Sequence, residues 1–81
     1  MIAWEEYVEV NPEVLVGKPV IKGTRVSVEF IMERLADGWT EEEILENYPS
    51  LDRNIMQAVY SYAYETIKEV VFFSIVEKKS A

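Results

Sequence analysis

The sequence predicts a mainly α protein: an extended N-terminal arm followed by three helices, of which the second and third have the proportions of a helix-turn-helix. Three observations predict it. Apolar residues change from a weak two-residue alternation to a 3.6-residue recurrence near Ser27. Two helix starts, at Thr40 and Asp52, each follow a short breaker stretch, "ADGW" and "YPSL". The segment "VGKPVIKGTRV" pairs glycines with proline and β-branched residues, which suits an extended, bent arm.

The elements follow in chain order within one domain: an arm over 1–26, a helical core over 27–69 and an extension over 70–81. "EEYVEV" alternates weakly, placing Val8 and Val10 on one side of a short strand and Glu9 on the other. In "NPEVL", Asn11 caps a turn and Pro12 suits a first helical position. Gly17 and Gly23 permit bends, Pro19 keeps the arm extended, and Thr24 is expected to hydrogen-bond the turn. Ser27 caps the first helix, whose inward residues are Val28, Ile31, Met32 and Leu35, and Gly38 ends it. Thr40 and Glu43 form a T-x-x-E capping box for the second, which turns Ile44, Leu45 and Tyr48 inward and stops at Pro49. Asp52 caps the third, with an inward stripe of Ile55, Val59, Tyr62, Ala63, Ile67, Val70 and Val71. "VVFFSIV" suits a continued helix or a strand equally.

Composition narrows the chemistry. At 81 residues with 49% apolar content the chain has material for one small core, and a domain this size is marginal alone, so association is expected. With no cysteine and no histidine it lacks disulfides, thiolate ligands and the usual neutral-pH base. The N-terminus has no basic, apolar leader pattern, and "VVFFSIV" is about a third of the roughly 20 residues a membrane span needs. A cytoplasmic protein without membrane attachment is expected.

The net charge is −7, but it is unevenly spread. Lys18, Lys22 and Arg25 stand together without an acid, leaving five bases against 15 acids elsewhere. A basic patch of this kind meets phosphate locally, while the acidic remainder opposes a polyanion and suits a basic protein.

The tempting motifs are weak. "GKPVIKGT" does not match G-x-x-x-x-G-K-[ST], because its lysine precedes the second glycine and the glycine spacing is six. Glu41, Glu42, Glu43 and Glu46 resemble an acid–base or metal cluster, yet neighbours on a first helical turn splay apart, and capping with dipole complementation accounts for them. No catalytic constellation, metal site or cofactor motif emerges, and no enzymatic activity is expected. The third helix offers more. Opposite its apolar stripe lie Arg53, Gln57, Tyr60, Ser61, Tyr64 and Lys68, and Arg53, Asn54 and Gln57 are residue types that read base edges in a major groove. The same pattern also describes an ordinary solvated face.

The residues Asn11-Pro12, Gly17-Lys18-Pro19, Ile21, Gly23-Thr24-Arg25, Gly38, Thr40, Glu43-Ile44, Tyr48-Pro49 and Leu51 resemble the pattern of the domain-of-unknown-function 433 family, over roughly residues 7–65. That resemblance implies a homeodomain-like three-helix fold with an N-terminal β arm. It also implies an antitoxin role: a homodimer that binds operator DNA and masks a PIN-like ribonuclease toxin. Asp52-Arg53-Asn54 departs from the family's more usual Thr-Pro-Glu and makes this helix start more basic. On this reading Arg53, Asn54 and Gln57 meet bases, and Lys18, Lys22 and Arg25 meet the backbone. Arg25 has a second role open to it, pairing with a carboxylate of the helical body to fix the arm. The rival reading is a protein-interaction module, without DNA binding, whose acidic surface covers a basic partner.

Overall fold

A computed structural model describes residues 1–13 and 15–80, with side-chain surroundings for all of these except 15 and 71–80. The protein is mainly α, three helices behind a small antiparallel hairpin. The chain opens with a 3-10 turn, Trp4–Glu6, so Glu5 and Glu6 precede the strand expected to contain them. Strand β1, Val8–Val10, pairs antiparallel with β2, Pro19–Ile21, in the register Val8↔Ile21, Glu9↔Val20 and Val10↔Pro19. Pro19, which has no N–H to donate, sits at the first position of its strand. Val8 is buried, but Val10 is 56% exposed because the outer end of the hairpin runs past the core.

The arm turns back through a tight loop at residues 22–25. Gly23 adopts φ +77°, a conformation that costs a residue with a Cβ. The Thr24 hydroxyl donates to the Ile21 carbonyl at 2.8 Å and accepts from the Val26 N–H at 3.0 Å, closing the loop from inside as its sequence predicts. A single bridge, Val20↔Ser27, then hands the chain to the helices.

Helix α1 spans Val28–Ala36, α2 Glu41–Asn47 and α3 Arg53–Ser80. Each start is capped by the residue the sequence indicates. Ser27 Oγ accepts from the Phe30 N–H at 2.9 Å, and Asp52 Oδ1 from the Ile55 N–H at 2.8 Å. The Thr40 and Glu43 side chains each accept from the other's backbone N–H, completing the capping box. Such caps are worth about 1 kcal/mol apiece. Between α2 and α3 the Leu51 N–H bonds the Tyr48 carbonyl at 2.9 Å, and the buried Leu51 pins this corner to the core.

The core joins the hairpin (Val8, Ile21), α1 (Val28, Ile31), α2 (Ile44) and the start of α3 (Met56, Ala58, Val59), all nearly or fully buried. Burying each large apolar side chain contributes roughly 1.5–3 kcal/mol. Along α3 the stripe expected from periodicity holds only at its start. Val59 is buried and Ile55, Tyr62 and Ala63 half-buried, but Ile67 and Val70 are 60% and 61% exposed. The reason is reach: Ile67 and Val70 lie about 21 and 26 Å along α3 from Arg53 at 1.5 Å per residue, past the elements that cover its start. Val71 lies outside the described side chains. Where α3 is covered, it is covered on more than one side, so Ser61 is buried and Tyr60 half-buried rather than solvated as expected. The helical alternative for "VVFFSIV" is the one adopted.

Candidate nucleic-acid interface

The start of α3 presents Arg53, Asn54 and Gln57 to solvent. Asp52 stops the chain's turn with its cap, so these three emerge on the first two turns, with Arg53 and Gln57 stacked one turn apart. Their side chains combine a guanidinium and two amides, donors and acceptors able to address base edges.

Arg53 is not alone there. Its Nη1 lies 3.4 Å from Glu41 Oε1, on the first turn of α2. The other oxygen of that carboxylate, Oε2, accepts a 2.8 Å hydrogen bond from the Tyr60 hydroxyl. One carboxylate thus ties α2 to two positions of α3 and fixes the angle at which α3 leaves the corner. Burial, together with the hydrogen bond to Glu41 and its charge, pushes the Tyr60 phenol up to about 12. The Arg53 guanidinium stays 71% exposed and open to a ligand on its far side.

The arm's cations divide. Lys18 Nζ pairs with Glu29 Oε2 at 3.2 Å, tethering the arm to α1. Lys22 and Arg25 are both exposed on the loop that follows β2 and form no ion pair among the described residues. Of the two roles open to Arg25 in the sequence, the pairing with a carboxylate of the helical body is absent among these residues, and Lys18 takes up that tethering. The structure therefore brings Arg53, Asn54 and Gln57 together, and separately Lys22 with Arg25. Gly17 (φ +78°) and the half-buried Pro19 shape the arm around Lys18. The arm meets α3 further along: Trp4 packs edge-on against Tyr62 at 4.8 Å, and its Nε1–H donates to Glu65 Oε2 at 2.6 Å. Tyr62 is nine residues beyond Arg53, about 14 Å along the helix axis.

Glu41 and Tyr60 carry no signal that sequence reading detects: Glu41 looks like one more first-turn acid, and Tyr60 like one more solvated residue. Arg34 was equally silent. Its guanidinium lies over the Phe30 ring at 4.7 Å and near Trp39 at 5.8 Å, and it pairs with Asp37 at 3.6 Å. This stacks the end of α1 against the loop leading to α2.

The family model described as a protein of unknown function, DUF433, matches residues 8–63, which run from β1 into the covered part of α3. The chain belongs to the DUF433 family. It is 38% identical over 63 residues to the uncharacterized protein y4eO of Sinorhizobium fredii (strain NBRC 101917 / NGR234), which covers 78% of this chain but 28% of that protein. The chain thus spans under a third of that relative's length. It also superposes, with a TM-score of 0.69 and 29% identity, on the crystal structure of a DUF433 member protein from Anabaena variabilis ATCC 29413 at 2.00 Å resolution, over 85% of this chain and 67% of that one. Arg53, Asn54, Gln57 and the arm cations all lie inside the matched span, whereas α3 past residue 63 lies beyond it.

Proposed function

We propose that this DUF433 chain is a non-enzymatic helix-turn-helix protein of antitoxin type, which as a two-fold dimer reads operator DNA through α3 and masks a PIN-like ribonuclease toxin. The observation that carries the DNA half is the exposed trio Arg53, Asn54 and Gln57 on the first two turns of a helix that follows a capped corner pinned by the buried Leu51. Lys22 and Arg25, exposed and unpaired among the described residues, supply phosphate contacts. The test is binding of the purified protein to DNA from upstream of its gene, followed by fluorescence anisotropy over a range of salt. With Lys22 and Arg25 on phosphate and Arg53 on a base edge, log affinity falls against log salt with a slope of roughly −1.8 per copy. Arg53→Ala relaxes base preference by about 1–3 kcal/mol if its contact is bidentate. No affinity at low salt removes the DNA half.

The second reading, an interaction module that covers a basic partner without touching DNA, is favoured by a different observation. Glu42, Glu43, Glu46 and Asp52 are all exposed around the same corner, on a chain of net charge −7. A toxin with a cationic nucleic-acid channel meets such a surface as it meets phosphate. Co-purification with the product of the adjacent gene supports this reading, and a pull-down that recovers no stable partner counts against it.

A further inference from the structure

We infer that the N-terminal turn, Trp4–Glu6, is a strap over α3: it opens without unfolding of the core, and while closed it holds α3 helical at residues 62–69. The inference goes beyond the proposed function and does not depend on any ligand.

The strap is fixed at one end and free at the other. At its root the Tyr7 carbonyl accepts from the Lys22 N–H at 2.9 Å, and Val8 is buried in the core. At its tip Met1 is exposed, and no residue of the turn itself is buried. Ile2 and Trp4, both half-buried, are its apolar contacts. Trp4 makes the connection to α3. Its ring stands edge-on to Tyr62, and its Nε1–H donates to the Glu65 carboxylate. That bond is exposed, so an opening that breaks it uncovers little apolar surface. A segment attached in this way opens at a lower free-energy cost than the core behind it.

What the strap holds follows from the helix geometry. Residues 64–70 are all exposed, and helices in proteins owe most of their stability to packing. Helix ends fray, so any unwinding that starts at the far end of α3 meets the strap before it meets the core. In an α-helix the N–H groups of residues 66–69 bond the carbonyls of residues 62–65. The Thr66 hydroxyl adds a second bond, at 2.9 Å, to the Tyr62 carbonyl. Trp4 holds the first and the last side chain of that acceptor set, Tyr62 and Glu65. Among the described residues, no hydrogen bond from another element reaches α3 beyond Glu65. Tyr62 also forms one wall of an apolar groove of about 260 Å³, opposite Pro19, Val28 and Met32, so the strap fixes the shape of that groove as well. Neither Trp4 nor Glu65 lies within residues 8–63, the span matched to the family.

Amide hydrogen exchange of the whole chain, followed by NMR, reads the strap directly. In the wild type, exchange at residues 66–69 is expected to be unchanged by urea below the unfolding transition, because little surface is exposed when the strap opens. Exchange of the buried Val59 amide accelerates with urea, because it requires global unfolding. Trp4→Ala speeds exchange at residues 66–69 by about 30-fold; Trp4→Phe, which keeps an aromatic edge on Tyr62 and removes the donor, speeds it by about 5-fold. Unchanged exchange at residues 66–69 in these variants overturns the claim that the strap holds α3. Acceleration of the same amides by urea in step with Val59 overturns its independent opening. The phenylalanine variant and the urea series decide both points even where Trp4→Ala fails to fold.

Discussion

Replacing Glu41 by glutamine tests the account of how α3 is aimed. The substitution keeps the shape of the side chain and removes its charge. Glu41 Oε2 accepts from the Tyr60 hydroxyl at 2.8 Å, and a hydrogen bond to a charged group contributes about 1.5–3 kcal/mol. With the Glu41 side chain 24% exposed, the lower figure applies, and the neutral amide retains about half of it. The Arg53 pair, 71% exposed on the cation's side, adds a few tenths of a kcal/mol, about what surface pairs contribute. Loss of a first-turn charge from α2 adds about 0.3–1 kcal/mol. Glu41→Gln should therefore destabilise the protein by about 1.5–2 kcal/mol, read from urea unfolding with unchanged slope. Crossed with Tyr60→Phe in a double-mutant cycle, the two should couple by about 1 kcal/mol. The phenol offers an independent readout. Its ionisation is raised in the fold to about 12 from a usual 10, so Tyr60 binds its proton more tightly folded than unfolded. Its contribution is fully present below about pH 10 and is lost as pH climbs through about 12. In Glu41→Gln the tyrosinate absorbance of Tyr60 should appear at lower pH, though not as low as in the free side chain, because burial remains the largest cause of the shift. Coupling of less than about 0.3 kcal/mol, together with an unmoved phenol, would refute the claim that this carboxylate joins α2 to α3.

Three further substitutions probe the local devices. Thr40→Ala removes one side of the capping box and should cost about 1 kcal/mol by thermal or urea unfolding. Gly23→Ala meets no neighbouring atom within 4 Å, so any loss comes from the backbone alone, at φ +77°; about 1–2 kcal/mol is expected, and no change would mean the loop after β2 relaxes freely. Val16, 94% exposed, holds a β-branched side chain at φ +56°, a conformation asparagine tolerates better, so Val16→Asn should raise stability by about 0.5–1 kcal/mol.

Most of the fold was legible because its punctuation is local. Ser27, Thr40 with Glu43, and Asp52 satisfy helix-start N–H groups three residues away, and Thr24 closes a loop of four residues, so chemistry and spacing along the chain suffice. What escaped depends on partners remote in sequence. Trp4 and Glu65 bond across 61 positions, and Glu41 and Tyr60 across 19. Periodicity places Ile67 and Val70 on the inward stripe, and the structure leaves them exposed, because periodicity reports which face a residue shares and only the folded chain shows whether anything covers that face. Met56 and Ala58 are fully buried outside the expected stripe because α3 begins in a cleft enclosed from several directions. The trio Arg53, Asn54 and Gln57 was legible as exposed, while its tie to Glu41 was not.

That tie bears on how any ligand reaches the corner. The field of a chain at −7 repels a polyanion at long range, and the exposed acids near α3 strengthen that repulsion. On the DNA reading, steering therefore contributes little, and recognition would rest on contacts made after arrival, within a Debye length of about 8 Å at physiological salt. At that range the Glu41 carboxylate has two opposing effects. It lowers the net positive charge that phosphate feels at Arg53, and it holds one side of the guanidinium so that the other side faces outward with fewer conformations to lose. The first weakens contact with every sequence alike; the second favours the one base edge that fits the held geometry. Glutamine at position 41 should therefore strengthen binding to arbitrary DNA while narrowing the gap between operator and non-operator. A basic protein partner meets the reverse balance, since the same substitution removes an acid from the surface it recognises and weakens the complex. The two readings thus predict opposite signs for one substitution in one pair of binding assays.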